Sequence, residues 1–397
     1  MKISFASTQG LRIEAIDIVR ALNMILMIFV NDLWSLKNIP IWLEHVPRGV
    51  DGMGLADSVF PAFLFIVGLS MPFAIQARRQ KGATERELIL HVVTRTIALL
   101  IMGVFLVNGE TINGNATGMP RLLWNTICCL SFIILWRKYH RNDSTYEWTC
   151  KSIAILALLV LFYVYRGGKD EDLKHFAPQW WGILGLIGWS YLASGLVTVL
   201  SKNNLLVIIA GWVFFSALSI LSHAKLIPSF FNFIPDAIRG GTLAGLAVSG
   251  ALASYVFQYY RNKNDDRMMT LVLSMISIVW ILLSIATRPY WGLAKLGATP
   301  AWLFLCSAFT LIAFLIIYWL TKWGKGFWFD IIKPAGTDTL LCYLMPYFAY
   351  ALMRFIGLHL PAFALKGGVG LIKSFLFALL CALATRLLVK SGIKLKI

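Results

Sequence analysis

Long apolar runs separated by polar joints limit the fold of this chain more than any other feature. About 20 apolar residues cross about 30 Å of hydrocarbon as a helix. Twelve such runs can be read: 15–33, 57–76, 89–108, 120–136, 152–166, 181–200, 205–222, 238–259, 268–287, 298–320, 335–355 and 369–390. They cannot be hidden in one water-soluble core. Of the 397 residues 58% are hydrophobic and 14% charged, against about 45–50% and about 25% in soluble domains. The expectation is an all-α polytopic membrane helix bundle of about twelve transmembrane helices, forming a single domain over 1–397. The count falls to ten if the short run at 152–166 and the Asn125-bearing run at 120–136 are discounted. The segment MKISFASTQGLRIE is too polar for the apolar core of a signal peptide, so the first run is expected to remain as a spanning helix.

A net charge of +17 suits a nucleic-acid binder, but no basic run is interleaved with aromatics in a polar segment, so nucleic acid is not expected as a partner. Membrane topology accounts for the charge instead, because Lys and Arg gather in cytoplasmic loops. With the N-terminus inside, 20 Lys and Arg fall on the inner side and 11 on the outer. Both termini are therefore expected in the cytoplasm, and the loops near 34–56, 109–119, 167–180, 223–237, 288–297 and 356–368 on the far side. The six cysteines (128, 129, 150, 306, 342 and 381) sit in or beside apolar runs without metal-ligand spacing, so neither a disulfide framework nor a metal is expected.

One joint is too long and too ionic to be a mere connection. Helix–helix loops usually take about 2–8 residues, whereas the stretch from Trp34 to Ala56 carries Glu44, His45, Arg48 and Asp51, with Asp32 before it and Asp57 after it. Ionisable groups crowded against a bilayer point to a functional site. His45 can act as general base, acid or nucleophile, and a neighbouring carboxylate would fix its tautomer; the alternative is a histidine resting in the headgroups. Asp57 stands where it can cap the second helix, orient His45, or do both. Asn31 and Asp32 end the first run on the same side and can hydrogen-bond a sugar hydroxyl or an amine. Glu44 and Asp51 join Asp32 as candidates for binding an acceptor.

Within the apolar runs, Asp17 and Arg20 are three apart on one helical face, either an ion pair or an arginine aimed at a phosphate. Arg95 is the second phosphate candidate. Lys373 and Arg386 lie near enough to helix ends to snorkel. Gly241 with Gly245, and Gly182 with Gly185 and Gly188, mark close helix contacts, within one chain or between two copies of a homodimer. Pro61, Pro72 and Pro346 free helix carbonyls. Trp180, Trp181 and Trp189 suit the interface, or stacking on a sugar.

The runs RIEAIDIVRALNMILMIFVND and GLADSVFPAFLFIVGLSMPFAI, with Glu44-His45 between them, resemble the catalytic core of heparan-α-glucosaminide N-acetyltransferases and their bacterial relatives. The resemblance rests on Asp17 and Arg20, Val30-Asn31, His45, and Ala56-Asp57 through Ser70, and it concentrates in 12–110. Weaker echoes occur at Arg95, Arg121, Gly240–Gly245, KLGATPAWLFLCSA at 295–308, and GTDTLLCYLMPYF at 336–348, where Asp338 replaces the family's asparagine. It implies an acetyl-CoA-dependent N-acetyltransferase that moves an acetyl group from cytoplasmic acetyl-CoA to the amine of a glucosamine-like amino sugar across the membrane. It implies His45 and Asn31 as catalytic residues, and with the residue readings above Asp57 joins them while Arg20, Arg95 and Arg121 are expected to hold CoA. A bacterial inner membrane, with the His45 loop in the periplasm and lipid around the bundle, is the expected setting. The spacings on either side of His45 are longer than in the animal enzyme, so the acceptor need not be heparan sulfate. A transporter of amino sugars, with His45 and the acids as its substrate site, is the alternative.

Overall fold

A computed structural model describes residues 13–139 and 144–396. Among these, twelve helices of sixteen residues or more account for the twelve apolar runs: α1 (Glu14–Asp32), α2 (Leu55–Gln80), α3 (Glu85–Glu110), α4 (Arg121–Trp136), α5 (Ser144–Val164), α6 (Ile183–Leu200), α7 (Leu205–His223), α8 (Thr242–Arg261), α9 (Asp266–Trp291), α10 (Pro300–Lys322), α11 (Thr339–Phe355) and α12 (Gly367–Lys390). The protein is an all-α polytopic bundle. Its one sheet among the described residues is a two-stranded antiparallel hairpin, β1 (Gly167–Lys169) and β2 (Asp172–Lys174), in a loop where no strand was expected.

Eight of the twelve helices are long and apolar enough to cross a membrane, fewer than the runs suggest. The other four fall short for separate reasons. α4 and α11 have only 16 and 17 residues. α1 carries Glu14, Asp17, Arg20 and Asp32, and α8 is diluted by Gly, Ser and Thr. α5, α7, α9 and α12 present rows of bare leucines such as Leu156, Leu206, Leu282 and Leu380, a surface that water would not tolerate and lipid would.

α8 is the centre of the bundle, buried without interruption from Thr242 to Gln258. Its small residues permit this. A Cβ on Gly250 would lie 1.9 Å from the Phe65 carbonyl oxygen, and one on Gly68 would lie 1.7 Å from that of Ala247. α2 and α8 therefore cross backbone to backbone. Gly103 of α3 and Gly185 approach in the same way, a Cβ on Gly103 lying 2.5 Å from the Gly185 nitrogen, while Gly182 and Gly188 admit the side chains of Val107 and Leu100, so this stripe packs helices within one chain.

Hydrogen bonds sort the loops into two ends. At one end the α1–α2 loop meets the α9–α10 loop (Gly52 N–H to Leu293 O, 2.9 Å) and the start of α12 (Lys37 N–H to Leu365 O, 2.9 Å). Asn108 at the end of α3 reaches Ala177 there, and His223 reaches Gly297. At the other end Glu14 pairs with Lys333, Arg79 binds Asn203, Tyr318 binds Asp266, and Lys396 donates to the Trp136 carbonyl. This is the grouping that the Lys and Arg count assumes.

Candidate active site

The sequence holds His45 over the first turn of α2 by means of a glycine. Gly54 precedes the helix, and a Cβ there would strike the Glu44 carbonyl oxygen at 1.9 Å. The 42–46 segment can therefore lie directly against it. Asp57 then reaches back from the helix. One carboxylate oxygen contacts His45 Nδ1 at 2.7 Å, and the other accepts the N–H groups of Val46 (3.0 Å) and Gly54 (3.1 Å). The Gly54 bond is a helix cap and the Nδ1 bond orients the ring, so the two roles expected of Asp57 are filled together.

A carboxylate can only accept, so in the neutral ring Nδ1 carries the proton and Nε2 keeps the lone pair. Asp57 is 1% exposed while His45 is 47% exposed. The pair thus has a buried, fixed acid and a base open to whatever enters. A histidine merely resting in headgroups would not need this buried acceptor.

Two residues that sequence reasoning did not single out complete the cluster. Lys295, in the α9–α10 loop, places Nζ 3.3 Å from His45 Nδ1, 3.5 Å from the Ala56 carbonyl and 4.0 Å from Asp57. The proton on Nδ1 is committed to Asp57, so the ammonium serves as that carboxylate's counter-charge. Burial draws the Lys295 pKa below its ordinary value, and Asp57 opposes the shift. Trp302 on α10 donates its indole N–H to the Asp57 main-chain carbonyl at 3.0 Å. Within the helix that carbonyl's partner would be residue 61, which is a proline without an N–H; the indole replaces the missing donor. Lys295 and Trp302 both fall in the segment KLGATPAWLFLCSA, which was the available signal.

Beside the cluster a cavity of about 450 Å³ is lined by Asn31, Trp181, Asp236, Lys295 and Trp302. Asn31 is exposed into it. A larger cavity of about 650 Å³ lies towards the other end of the bundle, walled by α1, α2, α3, α6 and α11 and bearing Asp17, Arg20, Gln76 and Arg95. Arg20 pairs with Asp17 at 3.1 Å and donates to the Gly336 carbonyl at 3.0 Å, so the ion-pair reading of these two holds while both still line the cavity. Arg95 stacks on Tyr191, 4.9 Å from the ring centroid, and its Nε is buried without a hydrogen-bond partner. Arg20 and Arg95 give this cavity two guanidinium groups against the one carboxylate of Asp17, a wall with surplus positive charge. The residues present therefore fit the phosphates of a nucleotide thioester.

Other candidates are not brought to these cavities. Asp32 faces the opposite way from Asn31: its carboxylate accepts Tyr350, Lys373 and Ser374, each at 2.6 Å, in a buried cluster between α1, α11 and α12. Buried there and lining neither cavity, it is not placed to bind a substrate as expected, and Lys373 pairs inward rather than snorkelling. Asp51 is clamped by Arg288 (3.1 Å) and the Leu293 N–H (2.7 Å), tying two loops together; that N–H bond above all holds its pKa below the ordinary carboxylate value. Glu44 is exposed, its carbonyl rather than its side chain being against Gly54. Arg121 opens α4 at the His45 end, beside Glu110 and away from Arg20 and Arg95, so it does not join them in one anion site. Among the described residues no three His, Cys, Asp or Glu are grouped to hold a metal.

Residues 12–113 match the family model described as heparan-alpha-glucosaminide N-acetyltransferase, catalytic. The heparan-alpha-glucosaminide N-acetyltransferase of Mus musculus is 33% identical over 101 residues, and that of Homo sapiens 31% over the same length. Each match covers 24% of this chain and 14% of the relative. The matched stretch contains α1, the His45 loop, α2 and α3, which supply Arg20, Asn31, His45, Asp57 and Arg95. Over that first quarter the chain is similar to the catalytic region of the heparan-alpha-glucosaminide N-acetyltransferases.

Proposed function

We propose that the protein is a transmembrane acetyltransferase that takes an acetyl group from acetyl-CoA on the cytoplasmic side and places it on the amine of a glucosamine-like amino sugar at the other face. The observation that carries the reading is the His45–Asp57 pair, with its free Nε2, at the mouth of a bundle whose opposite end holds an arginine-lined cavity. Arg20 and Arg95 suit the anionic nucleotide of CoA. From Arg20 to Asn31 is eleven residues of α1, about 16 Å at 1.5 Å rise per residue, so an extended pantetheine arm bound at the arginines points towards the outer cavity. There the amine nitrogen attacks the thioester carbon, the C–N bond forms, and the C–S bond breaks. His45 Nε2 takes the proton lost from nitrogen and returns it to the departing sulfur. An acetyl-histidine intermediate, in which Nε2 itself receives the acetyl group before passing it on, uses the same geometry. Asn31 and the Trp181 face offer the sugar a hydrogen bond and an apolar surface.

The Lys and Arg bias supports cytoplasmic termini and a periplasmic His45 loop in a bacterial inner membrane. The test is to supply purified protein with acetyl-CoA labelled in the acetyl group and glucosamine. Labelled product and free CoA are expected from the native chain and not from His45→Ala. Sugar uptake by proteoliposomes without any acetyl donor, together with no acetyl product, would identify transport and overturn the reading.

A further inference from the structure

The two cavities share one lining side chain. Met27 lines both of them, and it belongs to a stripe on α1 whose steps of three and four keep Arg20, Met24, Met27 and Asn31 on one helical face. Arg20 and Met24 face the inner cavity, Asn31 the outer one, and Met27 stands between. Apolar side chains of the same two helices stand in both linings: Phe63 of α2 and Ile187 of α6 in the inner one, Phe60 and Ile183 in the outer. Met27 is buried, and its unbranched thioether can change rotamer without moving α1.

We propose that Met27 is the neck between donor and acceptor cavities and sets the length of acyl chain the protein transfers. The inference rests on the acetyltransferase reading and names which thioesters it accepts. A thioester reaching from the Arg20–Arg95 end to His45 carries its acyl group past this side chain. A two-carbon acyl group fits beside the thioether; each further methylene competes with it for the same space. Hydrophobic sites of this kind discriminate by roughly 10-fold or more per methylene. The transfer chemistry is unchanged: the C–S bond of the thioester breaks, the C–N bond forms, and the amine proton leaves through His45.

The experiment compares acetyl-CoA and butyryl-CoA as donors to glucosamine for the native chain, Met27→Ala, Met27→Phe and Met27→Leu, with acetyl-CoA binding measured separately for each. Met27→Ala is expected to raise the butyryl-to-acetyl ratio of kcat/KM at least 10-fold. Met27→Phe is expected to lose acetyl transfer at least 10-fold while still binding acetyl-CoA, and Met27→Leu, close in volume, to stay near the native chain. Normal acetyl transfer with the native donor preference in both Met27→Ala and Met27→Phe overturns the neck and leaves the acetyltransferase reading standing. A native chain that transfers no acyl group overturns both.

Discussion

Asp57→Asn is the most informative perturbation, because it removes one charge and almost no volume at the point where every contact of the cluster converges. The native carboxylate accepts three hydrogen bonds, from His45 Nδ1, Val46 N–H and Gly54 N–H. An amide has one oxygen and an NH2. If the oxygen faces the two backbone donors, the NH2 faces Nδ1 and forces the ring proton onto Nε2, where a base is needed. If the oxygen faces Nδ1, two backbone N–H groups are buried against an NH2. Either way the half-buried Lys295 loses its counter-charge. An inverted tautomer in a His–carboxylate pair costs about 10⁴ in kcat, so a fall of 10³ to 10⁴ in acetyl transfer is expected. Stability should drop by about 1–3 kcal/mol, the usual cost of leaving a buried hydrogen-bonding group unsatisfied. Labelled-acetyl transfer and thermal unfolding in detergent read the two effects. A variant that remains folded and transfers acetyl within 10-fold of the native rate would refute the argument that Asp57 sets the tautomer of His45.

Three further outcomes follow from the contacts described. Arg95→Gln removes the guanidinium stacked on Tyr191 and should raise KM for acetyl-CoA at least 10-fold with a smaller change in kcat, whereas Arg121→Gln, at the other end, should leave KM unchanged; steady-state kinetics decide. Lys373→Met strands the buried Asp32 carboxylate with its two hydroxyl donors and should destabilise the protein by about 3–5 kcal/mol, with KM for acetyl-CoA unchanged in whatever protein remains folded. Asp51 has its pKa depressed in the folded chain by the Leu293 N–H bond and by Arg288. Its contribution is therefore present above the ordinary value of 3.8 and is lost as pH falls through the lowered one. The melting temperatures of the native chain and Asp51→Asn should differ near neutral pH and converge in acid.

The apolar runs made most of the fold legible. The run at 205–222 becomes α7 at Leu205–His223, and that at 15–33 becomes α1 at Glu14–Asp32. The errors are local and physical. α5 begins at Ser144, well before the apolar run at 152, because its first turns are stabilised by the Glu147–Lys151 pair and a hydropathy reading passes over charged helix. α8 begins late, at Thr242, because Gly241 has φ +71° and breaks the helix there. His45 and Asp57 could be paired from sequence, since twelve residues and one helix start separate them. Lys295 could not, being 250 positions from His45 with no local pattern to link them. Asp32 was misassigned for the related reason that periodicity does not say which way a last helical turn faces when its partners, Tyr350, Lys373 and Ser374, are all more than 300 residues further on.

The proline in the second turn of α2 has a consequence beyond the bend it permits. By withholding one hydrogen it leaves the first turn of that helix unable to complete itself, and the group that finishes it arrives 245 residues later in the chain. The residue whose main chain is completed in this way is also the one that aligns the imidazole. A nascent chain, or one whose later helices have slipped, therefore holds its reactive base on an unfinished turn. If His45 is the base proposed above, its competence in proton transfer becomes a report that the two halves of the bundle have docked.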